Sequence, residues 1–198
     1  MKSTEEALHK IVEESQRVQS EFFKLFATEI LEVATTIGGH LKDGRKVLLF
    51  GNGGSSADAQ HIAAELIGRF MAERSAVPAI ALSADTTVLT AIANDYGYHR
   101  VFARQLEALA QKGDTAIAIS TSGNSENVLA GLAVAKDKGL YTIGLTGETG
   151  GKMEDFIDVL FRVPSTSTPR IQEAHRLIGH VLCELIDHNL FPEAYPNA

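Results

Sequence analysis

Two stretches of this chain carry side chains whose types and spacing can do chemistry. The first is Val47–Arg69, VLLFGNGGSSADAQHIAAELIGR. Successive helical residues turn by ~100°. Ala59, Ile62, Ala63, Leu66 and Phe70 therefore share one face, and Asp58, His61, Glu65 and Arg69 share the other. An imidazole and a carboxylate one turn apart suit two ligands on one metal, or a base and its partner. A solvated polar face gives the same pattern. The second stretch is the last helix, where Gln172, Arg176 and His180 oppose an apolar stripe of Ile171, Ala174, Leu177, Ile178, Val181, Leu182 and Leu185. Gln172 and His180 stand ~12 Å apart along a straight helix. One metal bound by both demands that they stretch toward each other; a helix distortion or contributions from different subunits would be easier. His175, between apolar neighbours, reads as a packed, hydrogen-bonded histidine and not as a ligand.

Two loops, Gly51–Ser56 (GNGGSS) and Ser120–Ser125 (STSGNS), each lead directly into a helix. Free N–H groups and the positive end of a helix dipole converge at such a point, the setting for an anion. Glycine admits close approach, and hydroxyls add donors without charge. Either loop alone is equally an ordinary turn with a helix cap; two at adjacent strand ends favour an anion site. No lysine occupies the Walker position. Gly51, Gly53 and Ser56, with Asp85 as a ribose acid, imitate a dinucleotide fingerprint, but the third position is serine and the second loop would have no role.

The elements that must position these residues follow from hydrophobic pattern. Leu8 to Leu41 repeat apolar residues at threes and fours, which predicts a helical arm over about 4–41, with a bend near Ser15–Ser20. An arm this long exceeds one small sheet, so its stripe is expected to meet other copies of the chain in a bundle. Five short apolar runs follow as buried strands: Lys46–Phe50, Ala79–Leu82, Thr115–Ile119, Thr142–Leu145 and Ile157–Phe161. Helices are expected over Ser55–Phe70, Thr87–Asn94 with Val101–Gln111, Ser125–Lys138 and Pro169–Asn189. The alternation predicts a three-layer α/β sandwich on a five-stranded parallel sheet, doubly wound and flavodoxin-like, with ligands at the carboxyl ends of the strands. Residues 1–198 are read as one domain, with 1–42 an oligomerisation arm.

Composition narrows the class. The 198 residues carry a formal net charge of −7, which argues against a nucleic-acid partner. The single cysteine, Cys183, offers neither a disulfide nor a thiolate cluster. MKSTEEALHK is charged and has no apolar leader core, and no run reaches membrane-spanning length, so a cytoplasmic protein with no membrane partner is expected.

GNGGS, STSGNS and the RIQEAH start of the last helix, at matched spacing over most of the chain, resemble the sugar isomerase (SIS) domain family. The resemblance implies an aldose–ketose isomerase that converts sedoheptulose 7-phosphate to D-glycero-D-manno-heptose 7-phosphate through an enediol, for lipopolysaccharide precursor supply. It implies Glu65 and His180 as general base and general acid. Asn52, Gly53, Gly54, Glu65, Asn94, Asp95 and Gln172 would contact the sugar, and Ser120, Thr121, Ser122 and Ser125 the phosphate. His61, Glu65, Gln172 and His180 would hold one zinc per subunit, in a homotetramer with sites at subunit interfaces. A rival in the same superfamily binds the bacterial replication initiator. VLTAIAND, SSADAQ and the LFPEA tail lean towards it, but that protein lacks the acid and imidazole present here as Glu65 and His180.

Overall fold

Period-two burial in the strands builds two cores. Val47 and Leu49 face one side of the sheet, Leu48 and Phe50 the other, and all four are buried. In the computed structural model, which describes residues 2–195, strands β1 (Val47–Gly51), β2 (Ala79–Ala81), β3 (Thr115–Ile119), β4 (Tyr141–Thr146) and β5 (Val159–Arg162) form one parallel sheet in the order β2-β1-β3-β4-β5. The chain leaves β1 towards one edge and returns at β3 towards the other. The topological switch therefore lies between them, where this class of sheet opens its ligand crevice. Gly51 pairs with Ile119 in register, so the two glycine- and serine-rich loops begin side by side.

Helices α1 (Lys2–Lys42), α2 (Gly54–Ile67) and α6 (Thr168–Leu190) cover the face of Leu49, Ile117 and Leu145. Helices α4 (Val101–Leu109) and α5 (Glu126–Asp137) cover the face of Phe50, Ala116 and Ala118. Helix α3 (Thr86–Tyr96) buries no residue fully; Asp85, the imagined ribose acid, is its N-cap and accepts from Val88 N–H at 3.0 Å. The connection from β4 to β5 holds only a 3-10 turn over Gly151–Phe156. Gly123, at φ +66°, lets the second loop press on that connection, where a Cβ would fall 2.0 Å from the Gly150 carbonyl oxygen.

The arm differs from expectation in two respects. Its helical geometry breaks at Phe26 (φ −115°, ψ 15°), not near Ser15–Ser20. Phe161 packs edge to face on both Phe22 and Phe26 there, so aromatic packing rather than local serine content coincides with the break. The apolar stripe is also shared out. Val18, Phe22, Ile30, Val33 and Ile37 join the chain's own core, while Leu8, Ile11 and Val12 overshoot it and stay exposed. Arg170 donates to the Ile11 carbonyl at 2.8 Å and Ser15 Oγ to Glu173 at 2.6 Å, tying the arm to the start of α6. Among the described residues, no helix is long and apolar enough to cross a membrane.

Candidate active site

Side chains from α2 and α6 meet where the polar faces of these two helices oppose each other. His61 Nε2 lies 2.8 Å from His180 Nε2 and 3.3 Å from Glu65 Oε1. Donor atoms of all three residues lie within 4.8 Å of one another. All three residues are half-buried, and the Phe70 ring lies tilted against the His180 ring, with 5.6 Å between centres. The meeting needs no second subunit. Gln172, two turns before His180 on α6, lies on the side of the first loop. Its amide sits on the first loop, where a Cβ on Gly54 would stand 2.4 Å from Nε2. A side chain on residue 54 would have to push the end of the Gln172 side chain aside.

Two histidine nitrogens and a carboxylate oxygen are the donor set of catalytic zinc sites that leave a coordination position open. The residues present thus fit zinc. The same set without metal is an acid–base pair, a carboxylate with an imidazole in reach.

The two loops at the switch point carry a polar network of their own. Asn52 and Asn127 exchange amide hydrogen bonds at 2.8 and 2.9 Å, and the Tyr98 hydroxyl adds a third to Asn52 Oδ1 at 2.9 Å. This knot joins the first loop to the opening turn of α5. A cleft of about 390 Å³ is lined by Asn52, Tyr98, His99, Ser125, Glu126 and Asn127. In the second loop Ser120 Oγ and Ser125 Oγ lie 3.1 Å apart, and Ser122 Oγ accepts from Asn124 N–H at 3.2 Å. Thr121, Ser122 and Asn124 line a second cleft, of about 290 Å³, with Ser165 and Thr168 opposite. The hydroxyls of this second cleft, which Glu148 also lines, and the N-terminus of α5, which lines the first cleft at Ser125 and Glu126, are both settings for a phosphate. Gly53, at φ +56°, turns the chain into α2. Asn94 and Asp95 sit exposed near the end of α3, bonded to each other at 2.8 Å, and line neither cleft.

Several residues at the site carried little sequence signal. Asp58, placed by helical phase on the polar face, is buried, because Arg176 reaches across from α6 to its Oδ1 through Nε (3.1 Å) and Nη2 (2.9 Å). Gly54, Asp58, Gln172 and Arg176 line a third cleft of about 270 Å³. The i, i+4, i+8 run Gln172, Arg176, His180 contained that signal; its partner on α2 was not visible. Asn127 follows STSGNS by two residues, and Tyr98 lies in a turn that no pattern connects to Asn52. His175 is packed as expected, with Nε2 3.2 Å from the Thr146 carbonyl oxygen, and burial pushes its pKa down to about 4. Cys183 is buried, which raises its pKa to about 12 and leaves it an inert thiol.

Residues 11–147 match the model of the SIS domain. The chain is 57% identical over 182 residues to a phosphoheptose isomerase of Aquifex aeolicus, covering 92% of this chain and 95% of the relative. It is 51% identical over 187 residues to one of Thermodesulfovibrio yellowstonii, covering 94% and 93%. Among solved structures, the phosphoheptose isomerase of Neisseria gonorrhoeae superposes with a TM-score of 0.87 at 41% identity, over 93% of this chain and 98% of that one. The phosphoheptose isomerase of Francisella tularensis gives 0.90 at 37% identity over the same shares.

Proposed function

The chain belongs to the SIS domain family and is a sugar-phosphate isomerase, and we propose that its substrate is sedoheptulose 7-phosphate, converted to D-glycero-D-manno-heptose 7-phosphate. The observation that carries the catalytic reading is the convergence of His61, Glu65 and His180 between α2 and α6. The names of the relatives support the seven-carbon substrate.

The reaction runs through an enediol. The open-chain ketose lies with its phosphate on Ser120, Thr121, Ser122 and Ser125 and its sugar against Asn52, Gly53, Gly54 and Gln172. Asn94 and Asp95, exposed in this chain, contribute sugar contacts from the side of α3. Glu65 removes the proton from the carbon next to the carbonyl. His180 protonates the carbonyl oxygen to give the enediol. Glu65 then returns its proton to the former carbonyl carbon while His180 takes the proton of the other enediol hydroxyl, so that the aldehyde forms and both groups are restored. Each such acid–base group typically contributes ~10²–10⁴-fold. His61, Glu65 and His180, with Gln172 from the Gly54 side, are the proposed zinc ligands, and a bound zinc would polarise the substrate's oxygens. A carboxylate tied up as a ligand is a poorer base, so the proton shuttle requires at least one Glu65 oxygen free.

The assembly is proposed as a homotetramer with sites at subunit interfaces, supported by Leu8, Ile11 and Val12 of the arm, which this chain leaves exposed. Residues 1–198 form one domain in this reading, with 1–42 as the arm. A cytoplasmic place and a role in lipopolysaccharide heptose supply complete it. The test is turnover of sedoheptulose 7-phosphate by purified protein, with and without zinc, followed by chromatographic separation of the two heptose phosphates. Isomerisation is expected. Its absence, with saturable binding to a replication initiator, would replace this function with the interaction role.

A further inference from the structure

Arg74 lies in the irregular segment 68–78 between α2 and β2. Its side chain is 1% exposed, and the carboxylate that it meets, Asp187 on α6, is fully buried. Nε lies 3.0 and 3.1 Å from the two Asp187 oxygens. The rest of the guanidinium turns to the end of α2. Nη2 donates to the Glu65 carbonyl at 2.9 Å, and Nη1 donates to the carbonyls of Leu66 (2.8 Å), Gly68 (3.2 Å) and Ser75 (3.0 Å). Tyr195 Oη reaches Asp187 Oδ2 at 3.4 Å, and the guanidinium carbon lies 5.7 Å from the centre of the Phe191 ring.

The last carbonyls of a helix have no partner within it, and a basic side chain there is an ordinary way to satisfy them. Three features make this one more specific. The helix end that it holds carries Glu65, and the Glu65 carbonyl is itself one of the acceptors. The carboxylate that fixes the guanidinium from the other side belongs to α6, two turns beyond His180. A buried ion pair is also a weak device for stability alone, because desolvation offsets most of the attraction. What a planar, five-donor fork supplies beyond apolar contact is direction: it fixes where the carbonyls lie relative to the carboxylate.

We propose that Arg74 and Asp187 are a positioning couple that locks the last turn of α2 against α6, in the register that brings Glu65 and His61 onto His180. Neither residue touches substrate; both act through the side chains of the neighbouring turns. This rests on Glu65 and His180 being the reacting pair.

The test uses the full-length protein and three variants: Arg74→Lys, Asp187→Asn and, as a control, Lys46→Met. The control breaks a second ion pair, between the half-buried Lys46 and the buried Asp114 at 2.7 Å, at the opposite end of the sheet. Thermal unfolding, steady-state kinetics and zinc affinity by chelator competition are measured for each. Lysine keeps the charge but cannot span Asp187 and the carbonyls of Glu65, Leu66 and Gly68 together. For Arg74→Lys, kcat should fall ~30–100-fold with KM within ~3-fold, since a misplacement of ~1 Å costs ~10²-fold. Zinc affinity should fall ~10-fold, as it does when a group supporting a ligand is lost. Asp187→Asn should change both in the same direction, and Arg74→Lys decides if Asp187→Asn does not fold. Lys46→Met should lose stability while kcat and zinc affinity stay within ~2-fold. Wild-type kcat and zinc affinity in Arg74→Lys would overturn the couple, as would equal losses in Lys46→Met at equal loss of stability. Should the wild type show no isomerisation, the functional reading fails by itself and zinc competition decides the couple. Wild-type protein that neither isomerises nor binds zinc overturns both.

Discussion

His61 Nε2 and His180 Nε2 face each other at 2.8 Å across the α2–α6 contact within a single chain. Two neutral imidazoles can do this only if one donates its proton and the other presents a lone pair. Alternatively, both lone pairs turn to one cation, and Glu65 supplies the third donor. One zinc per chain is expected by elemental analysis of protein dialysed against zinc and then metal-free buffer. His61→Ala should weaken zinc by more than the ~10–100-fold lost with a mere supporting group. Equal zinc retention by His61→Ala and wild type would remove the metal assignment.

Glu65 is the only carboxylate in that cluster among the described residues. Glutamine keeps its shape and one acceptor but cannot take a proton. Glu65→Gln should lower kcat by ~10²–10⁴-fold with KM within a few-fold. The same split applies to His180→Gln. Near-wild-type kcat in either variant rejects the corresponding proton-transfer role.

The serine hydroxyls of the second loop bear on affinity and not on the proton. Ser122→Ala removes a hydroxyl from the 290 Å³ cleft and the acceptor of Asn124 N–H. A hydrogen bond to a charged group is worth about 1.5–3 kcal/mol, so KM should rise ~10–100-fold with kcat little changed. Inhibition by inorganic phosphate should weaken in parallel. An unchanged KM across Ser120→Ala, Ser122→Ala and Ser125→Ala would place the phosphate elsewhere.

The sheet was legible because each strand is a short apolar run closed by glycine or a polar turn, and burial on both faces leaves no other reading of Thr115–Ile119 or Val47–Phe50. His61 and Glu65 were legible because i and i+4 on a helix fix their separation. Three things were not. Helical phase put Asp58 on a polar face without showing that Arg176 covers it. The helix pattern of the arm did not reveal that only its second half lies on the chain's own sheet. Arg74 sits in a segment with no period, and its partners range from the next residue, Ser75, to Asp187, 113 residues away. Long-range polar pairs leave no periodic trace.

The Asp58–Arg176 contact gives a prediction of its own. Asp58 is buried, and Arg176 Nε and Nη2 both point at its Oδ1. Arg176→Met leaves that carboxylate without its partner and should destabilise the protein by about 1–3 kcal/mol in urea unfolding. Asp58→Asn in the Arg176→Met background should restore part of the loss, since an amide costs less to leave unpaired than a carboxylate. Additive effects of the two substitutions would show that the pair is not coupled.

His175 links stability to pH. Its ring is fully buried, with Nε2–H placed to donate to the Thr146 carbonyl and Nδ1 without a partner among the described residues. Burial lowers the pKa from its ordinary 6.5 to about 4, against the smaller opposing effect of the Thr146 bond. The folded state therefore takes up this proton later than the unfolded state does. The stability that depends on a neutral His175 is fully present above pH 6.5 and is lost as pH falls towards 4. The shift is worth about 3 kcal/mol in all, at 1.36 kcal/mol per unit. His175→Gln keeps a donor for Thr146 and removes the titration. Urea unfolding with chelator present, which takes metal release out of the comparison, should show wild type losing more stability than His175→Gln between pH 7 and 4.5. The gap should be largest at the acid end. Parallel curves for the two proteins would mean that His175 titrates alike in the folded and unfolded chains.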